Sequence, residues 1–239
     1  MDRNHIRKSI LISQKCQRNY DLSREIPQED LELFELALTQ CPSKQNLCFY
    51  DAHMITDRDL IEQIHEHTAG VRANPKHEDD RVTNPQMLGN LCIVFTAPRQ
   101  KPVEKQIVNP RTGKEGNYRN LEQRIAAEME DGGAYAGISK EESIRALRVD
   151  QQVALGIAAG YCTLVAAELG YRSGCASCLD SEAIKKVLGI EEDILLLMGI
   201  GFNNPERHRR EHQLDPNHKF PTHAKMPIHV TWHKHDNHV

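Results

Sequence analysis

Asp150-Gln151-Gln152-Val153-Ala154-Leu155-Gly156-Ile157-Ala158-Ala159-Gly160-Tyr161-Cys162-Thr163-Leu164-Val165-Ala166-Ala167-Glu168 is the stretch on which the fold turns. No residue between its two terminal carboxylates is charged. That approaches a membrane span, which takes about 20 apolar residues. Small side chains interrupt it, however, at Ala154, Gly156, Ala158, Ala159, Gly160, Ala166 and Ala167, and no second such segment exists. A helix apolar on every side belongs either to a membrane or to the centre of a larger fold. Its small residues favour close packing between helices or subunits. The spacing predicts a long buried central helix over about 140–169, and no membrane partner.

Upstream, residues 1–20 read as a first helix followed by a polar stretch from Ser13 to Tyr20. Pro27-Gln28-Glu29-Asp30 opens an amphipathic helix with Leu31, Leu33, Phe34, Leu36, Ala37 and Leu38 as its buried side, stopped near Cys41-Pro42. Residues 47–55 read as a strand, and Thr56 or Asp57 then caps a helix to about Thr68. Leu91-Cys92-Ile93-Val94-Phe95-Thr96 is a short apolar strand bounded by turn signals. Residues 97–118 are loose, and a charged helical segment covers about 120–130. Downstream come a short strand to about Ser177, a helix 181–188 capped by Asp180, a core strand 194–202, and a polar tail closing on strand-like residues 228–232. Strands and helices are mixed without regular βαβ alternation, so the fold class is α+β.

Composition narrows the function. The chain has 239 residues, 39% of them hydrophobic, too many for a largely disordered chain. That length fits one domain with extensions better than two domains. A net charge of −4 excludes a generally basic nucleic-acid binder, and 5% aromatics leave little base-stacking surface. Seven cysteines, an odd count, follow a charged start without an apolar run of signal length. They point to free thiols in a reducing cytoplasm.

No phosphate-cradling glycine loop with Lys, no Gly-x-Gly-x-x-Gly and no Gly-x-Ser-x-Gly elbow is present. What remains is a series of short polar clusters at the ends of expected elements. Pro42-Ser43-Lys44-Gln45-Asn46 and Asn84-Pro85-Gln86-Met87-Leu88 are, taken singly, ordinary turns. Arg207, Arg209 and Arg210 put three guanidiniums within four residues, a charge run that also suits a phosphate. Arg18 adds a fourth, far away in sequence.

Their order carries more than any one of them. Taken with the small-residue helix and the Gly170-Tyr171-Arg172-Ser173-Gly174 turn, the chain resembles the FMN-dependent nitroreductase family over about Ser13 to Arg210. The resemblance implies a mixed, mainly antiparallel sheet flanked by helices, in a homodimer with C-terminal strand exchange. Residues 1–210 would form the FMN-binding domain, with 97–140 as a variable lid, and 211–239 an extension wrapping the partner. The family's Arg-x-Ser-x-Arg grip on the FMN phosphate and ribityl chain falls on Gln14-Lys15-Cys16-Gln17-Arg18. Arg18 matches, Lys15 can serve as a donor, and Cys16 replaces the serine. Ser43 and Asn46 match the segment that reaches the partner's flavin, and Asn84 and Gln86 the pair bonding the ring edge. Ser177 and Cys178 fall in the turn against the ring, and Arg207 and Arg209 complete the phosphate site. Tyr118, Arg119 and Arg124 are candidate lid residues.

The implied reaction is ping-pong: NADH or NADPH reduces the FMN, and an electron-poor small molecule, such as a nitroaromatic or quinone, takes the electrons. No catalytic side chain is expected, because the cofactor carries the chemistry. Two other readings stay open. Cys16, Cys175 and Cys178 could make a non-catalytic flavin-binding redox sensor, since a Cys-x-x-Cys can be a dithiol or half a zinc site. Eight of thirteen histidines follow Arg207, and a tail built of them could hold a metal. Nothing in their spacing enforces a geometry, and no metal site is assigned.

Overall fold

Every residue of Leu91–Thr96 is buried, so both faces of that strand are covered. The computed structural model describes residues 2–46, 48–70, 82–98, 107–108, 115–116, 137 and 139–232. In chain order these form α1 (Arg3–Ser13), β1 (Tyr20–Asp21), α2 (Gln28–Gln40), β2 (Asp51–Ile55), α3 (Arg58–His65), β3 (Leu91–Thr96), β4 (Ile107–Val108), β5 (Glu115–Gly116), α4 (Lys140–Glu168), β6 (Arg172–Ala176), α5 (Ser181–Leu188) and β7 (Ile194–Asn203). Two 3-10 turns, Lys44–Asn46 and Pro85–Met87, complete the set.

Strand β7 is the hub. It pairs antiparallel with β3 (Ile93 opposite Met198), with β6 (Gly174 opposite Gly199) and with β1 (Tyr20 opposite Asn203), while β2 adds to β3 (Met54 opposite Ile93). Strands β4 and β5 make a separate pair. Every strand pair described is antiparallel, and the mixed α+β class holds.

Side chains along a strand alternate between faces. Leu91, Ile93 and Phe95 therefore share one cluster with Phe34 of α2 and Leu147, Ala154, Ala158 and Cys162 of α4. Cys92 and Val94 point the other way, against Ile61 and Ile64 of α3 and Ile184 of α5. Helices on both faces explain why β3 reads as a continuous apolar run rather than an alternating one. Caps fix where these helices begin. The Asp57 carboxylate accepts from Leu60 N–H at 2.8 Å, Asp180 from Ala183 N–H at 3.0 Å, and Ser139 and Glu142 form a reciprocal capping box for α4.

The structure differs from the sequence expectations at four places. Helix α4 is buried along one face only, through Leu147, Ala154, Ala158, Cys162 and Ala166. Its outer face leaves Val149, Val153, Tyr161 and Leu164 exposed, and a Cβ at Gly156 or Gly160 would meet nothing within 4 Å. In α2 the buried face is Phe34, Ala37 and Leu38; Leu33 and Leu36 are exposed, because six nearly consecutive residues cannot share one helical stripe. Strand β2 starts at Asp51 rather than 47, since Asn46, Cys48 and Phe49 all take positive φ, which no strand accommodates. Residues 228–232 carry no regular structure: no strand among the described residues lies beside them, and Met226, Ile228, Val230 and Trp232 stand 79, 78, 72 and 83% exposed. The expected 120–130 helix lies outside the described residues. No helix among those described is long and apolar enough to cross a membrane.

Candidate cofactor site

After α1 the chain lies along β6, where Gln17 N–H donates to Ser173 C=O at 2.9 Å. Contact here requires glycine. A Cβ on Gly174 would come within 2.9 Å of both the Gln17 carbonyl oxygen and Gln86 Cβ. One on Gly199 would stand 2.2 Å from the Gln86 carbonyl oxygen. Asn84 caps the turn before β3, its side-chain oxygen accepting from Gln86 N–H at 3.1 Å. The fully buried Tyr20 hydroxyl donates to Gln86 C=O at 2.7 Å. So the 14–18 and 84–86 segments meet over two glycines of adjacent strands, with Tyr20 pinning them.

The chain returns to the same place from its other end. The Asn19 amide donates to His208 C=O and Glu211 C=O at 2.8 and 2.9 Å, and Arg209 Nη1 donates to Cys16 C=O at 3.0 Å. The Arg18 guanidinium lies 4.7 Å from the Phe220 ring centroid, and Arg210 Nη1 donates to Phe220 C=O at 3.1 Å. Burial first, then the Arg209 and Arg210 charges, hold Arg18 below the ordinary arginine range, with Cys16 and Tyr20 acting in the opposite sense. A cation cluster gathered in this way suits a multiply charged anion.

The expected site residues divide accordingly. The structure brings together Cys16, Arg18, Gln86 and Arg209, with exposed Lys15 next in the chain. Arg207 turns elsewhere: it donates to His212 C=O and Gln213 C=O at 2.7 and 2.9 Å and faces Glu211 at 3.6 Å, bracing its own loop. Ser43 accepts from Cys48 N–H at 2.9 Å, and Lys44 pairs with Asp150 at 2.7 Å. Ser43 and Asn46 thus sit on the N-terminal half of α4, where Gln151 also holds Phe49 C=O at 3.0 Å. Ser177 and Cys178 are exposed beyond β6, beside Ala69, whose N–H donates to Cys178 C=O at 2.9 Å. The Cys175 thiol is pushed up to about 12 by burial, with nearby Cys16 adding to the rise. All seven cysteines are free. Tyr118, Arg119 and Arg124 lie outside the described residues, as do His233, His235 and His238. Among the described residues no group of three or more His, Cys, Asp or Glu is placed to hold a metal ion.

Comparison with known proteins places the chain in a family. The nitroreductase family model matches residues 11–202, most of the chain. The chain belongs to the nitroreductase family. No curated protein matches it. Among solved structures it is similar to a protein of Exiguobacterium sibiricum assigned as a nitroreductase and solved in complex with FMN, at 16% identity and TM-score 0.56, with 98% of each chain covered. A protein of Staphylococcus epidermidis assigned as an NAD(P)H:FMN oxidoreductase is also similar, at 13% identity and TM-score 0.56, covering 93% of this chain and 92% of that one. A nitroreductase family protein of Streptococcus pneumoniae aligns at 14% identity and TM-score 0.53, covering 95 and 96%. These likenesses extend the nitroreductase fold over nearly the whole chain.

The sequence gives no motif for Tyr20, Asn19 or Phe220, which hold the candidate site together. The one available signal was Asn19-Tyr20 directly after the Arg18 match.

Proposed function

We propose that the protein is an FMN-dependent oxidoreductase passing electrons from NADH or NADPH to an electron-poor small molecule, of the nitroaromatic or quinone type. The observation that carries this reading is the convergence of Arg18, Arg209 and Arg210 beside the glycine-floored meeting of the 14–18 and 84–86 segments. FMN ends in a phosphate dianion, which fits clustered guanidiniums, and its ring needs an apolar slot with few directed polar groups. Arg18 and Arg209 would hold the phosphate, with Lys15 and the backbone of Cys16 beside it. Asn84 and Gln86 would line the ring edge, and the exposed turn at Ser177 and Cys178 would face it. When bound, FMN supplies reversible two-electron transfer in two half-reactions, a ping-pong cycle. The chain's own part is to bind, to orient and to limit water.

The same reading makes the protein a homodimer. The segment that carries Ser43 and Asn46 is tied to α4 through Lys44 on Asp150 and the Phe49 carbonyl on Gln151, which fits a role at the partner's cofactor. The open outer face of α4 and the exposed apolar residues of 226–232 fit a covered surface and a wrapping arm. Seven free thiols fit a cytoplasmic protein. Exposed Cys16 beside Cys175 favours one second reading, a flavin-binding redox sensor.

The test is a flavin spectrum followed by turnover. A yellow protein bleached by reduced nicotinamide and reoxidised by an acceptor panel is the expected outcome. FMN binding without turnover favours the sensor. A colourless protein whose thermal stability FMN leaves unchanged sinks both.

A further inference from the structure

Two buried imidazoles, His65 and His212, and the half-buried His218 form a cluster beside the arginines. The His65 ring at the end of α3 stands 5.8 Å from that of His212, which stacks on Phe220 at 6.0 Å and 17° and lies 6.3 Å from His218. His218 meets Phe220 edge-on at 4.7 Å. Phe220 in turn carries the Arg18 guanidinium.

The hydrogen bonds fix the charge of His212. Its Nδ1 accepts from Leu214 N–H at 3.1 Å and from Asp215 N–H at 3.2 Å, so the neutral ring's proton is assigned to Nε2, 3.1 Å from Thr83 Oγ1. A second proton would have to sit on Nδ1, where two N–H groups already point. The Nε2 atoms of His65 and His218 are buried without a hydrogen-bond partner, so a charge there would go unanswered. The charged groups facing His65 are Arg58 and His212. Those facing His212 are His218, Asp215 and Arg207, and only Asp215 favours a protonated ring.

We propose that His65 and His212 are positioning residues for the phosphate end of the cofactor site: neutral, they latch the 207–220 segment to the core, and protonated, they release it with Arg209 and Arg210. The release of cofactor rests on the flavin reading above; the latch itself does not. Burial, then the neighbouring charges, hold His65 down at about 4 and His212 below the ordinary histidine value. A group with a lowered folded pKa stabilises the docked state above its free value near 6.5, and that contribution is lost as pH falls toward the folded value. For His65 alone the docking equilibrium weakens about twentyfold between pH 7 and pH 5.

Hydrogen exchange on the protein as purified, corrected for intrinsic rate, tests this between pH 7.5 and pH 4.5, with bound flavin followed in parallel. Protection over 207–220 should fall at least about twentyfold by pH 5 while β3 and β7 stay protected, and flavin should leave over the same range. His65→Phe keeps a ring without a titrating nitrogen, and His212→Asn keeps an acceptor for the two N–H groups; each should flatten the profile. Exchange over 207–220 that changes only in step with β3 and β7, or variants with the parent profile, would overturn the latch. A segment that opens on cue in a protein holding no flavin at any pH keeps the latch and sinks the flavin reading instead.

Discussion

Strand β3 is a continuous apolar run and the arm at 226–232 places apolar side chains at alternate positions, yet the two end in opposite environments. All six residues of β3 are buried, while Met226, Ile228, Val230 and Trp232 are almost fully exposed. The difference lies opposite them. Strand β3 has α2 and α4 on one face and α3 and α5 on the other; the arm has no such cover among the described residues. An apolar pattern states what a segment can bury, and the rest of the molecule decides whether it does. The outer face of α4 falls on the arm's side of this contrast. Its small residues read as a buried centre, and the described residues cover only the inner face.

The largest expected effect breaks the β3 side. Phe95 is wholly buried and meets Tyr50 edge-to-face at 5.6 Å. Phe95→Ala should lower unfolding free energy by about 3–5 kcal/mol, through lost burial and the cavity left behind. Urea titration measures it, and a loss under about 1 kcal/mol would mean that this face is not the core. Next is Tyr20→Phe, which keeps the ring but orphans the buried Gln86 carbonyl. A loss of about 1–3 kcal/mol is expected in the same titration.

These two positions also show what the sequence made legible. Residues 91–96 are bounded by turn signals and have one apolar reading, and Asp180 stands where a cap belongs, so β3 and α5 could be placed to the residue; α3, expected from Thr56 or Asp57 to about Thr68, runs from Arg58 to His65. Strand β1 could not be placed, because two residues carry no periodicity and Tyr20–Asp21 is a strand only where β7 ends beside it. The site followed the same division. Arg18 and Arg209 were legible as cations in sequence order. The bracing role of Arg207 was not, since it depends on the His212 and Gln213 carbonyls turning back toward it. Ser43 and Asn46 are expected from pattern alone, and three positive φ values in residues 46–49 displace the strand expected there.

Arg207 and Arg209 give a smaller test of the same distinction. Arg209→Ala should weaken FMN retention about fivefold to tenfold, as one charge-assisted phosphate contact is lost. Arg207→Ala should act mainly by loosening 207–213, visible as faster hydrogen exchange there. Equal flavin loss without that loosening would place Arg207 in the phosphate site and correct its assignment here.

The smallest expected effect on the subunit itself comes from the arm. Truncation after Met226 removes Ile228, Val230 and Trp232, none of which is buried in its own chain. Subunit stability should therefore move by less than about 0.5 kcal/mol, the usual range for surface changes. Assembly is where the arm should matter: in a dimer that covers it, the shortened protein dissociates at a higher concentration in sedimentation. Trp232 is the one tryptophan, so the intact chain carries its own reporter. Its emission should shift to the blue as concentration rises through the dimer range, because covering an indole removes it from water. An emission maximum that stays put, together with an unaltered sedimentation profile after truncation, would leave the arm solvated and without a part in assembly.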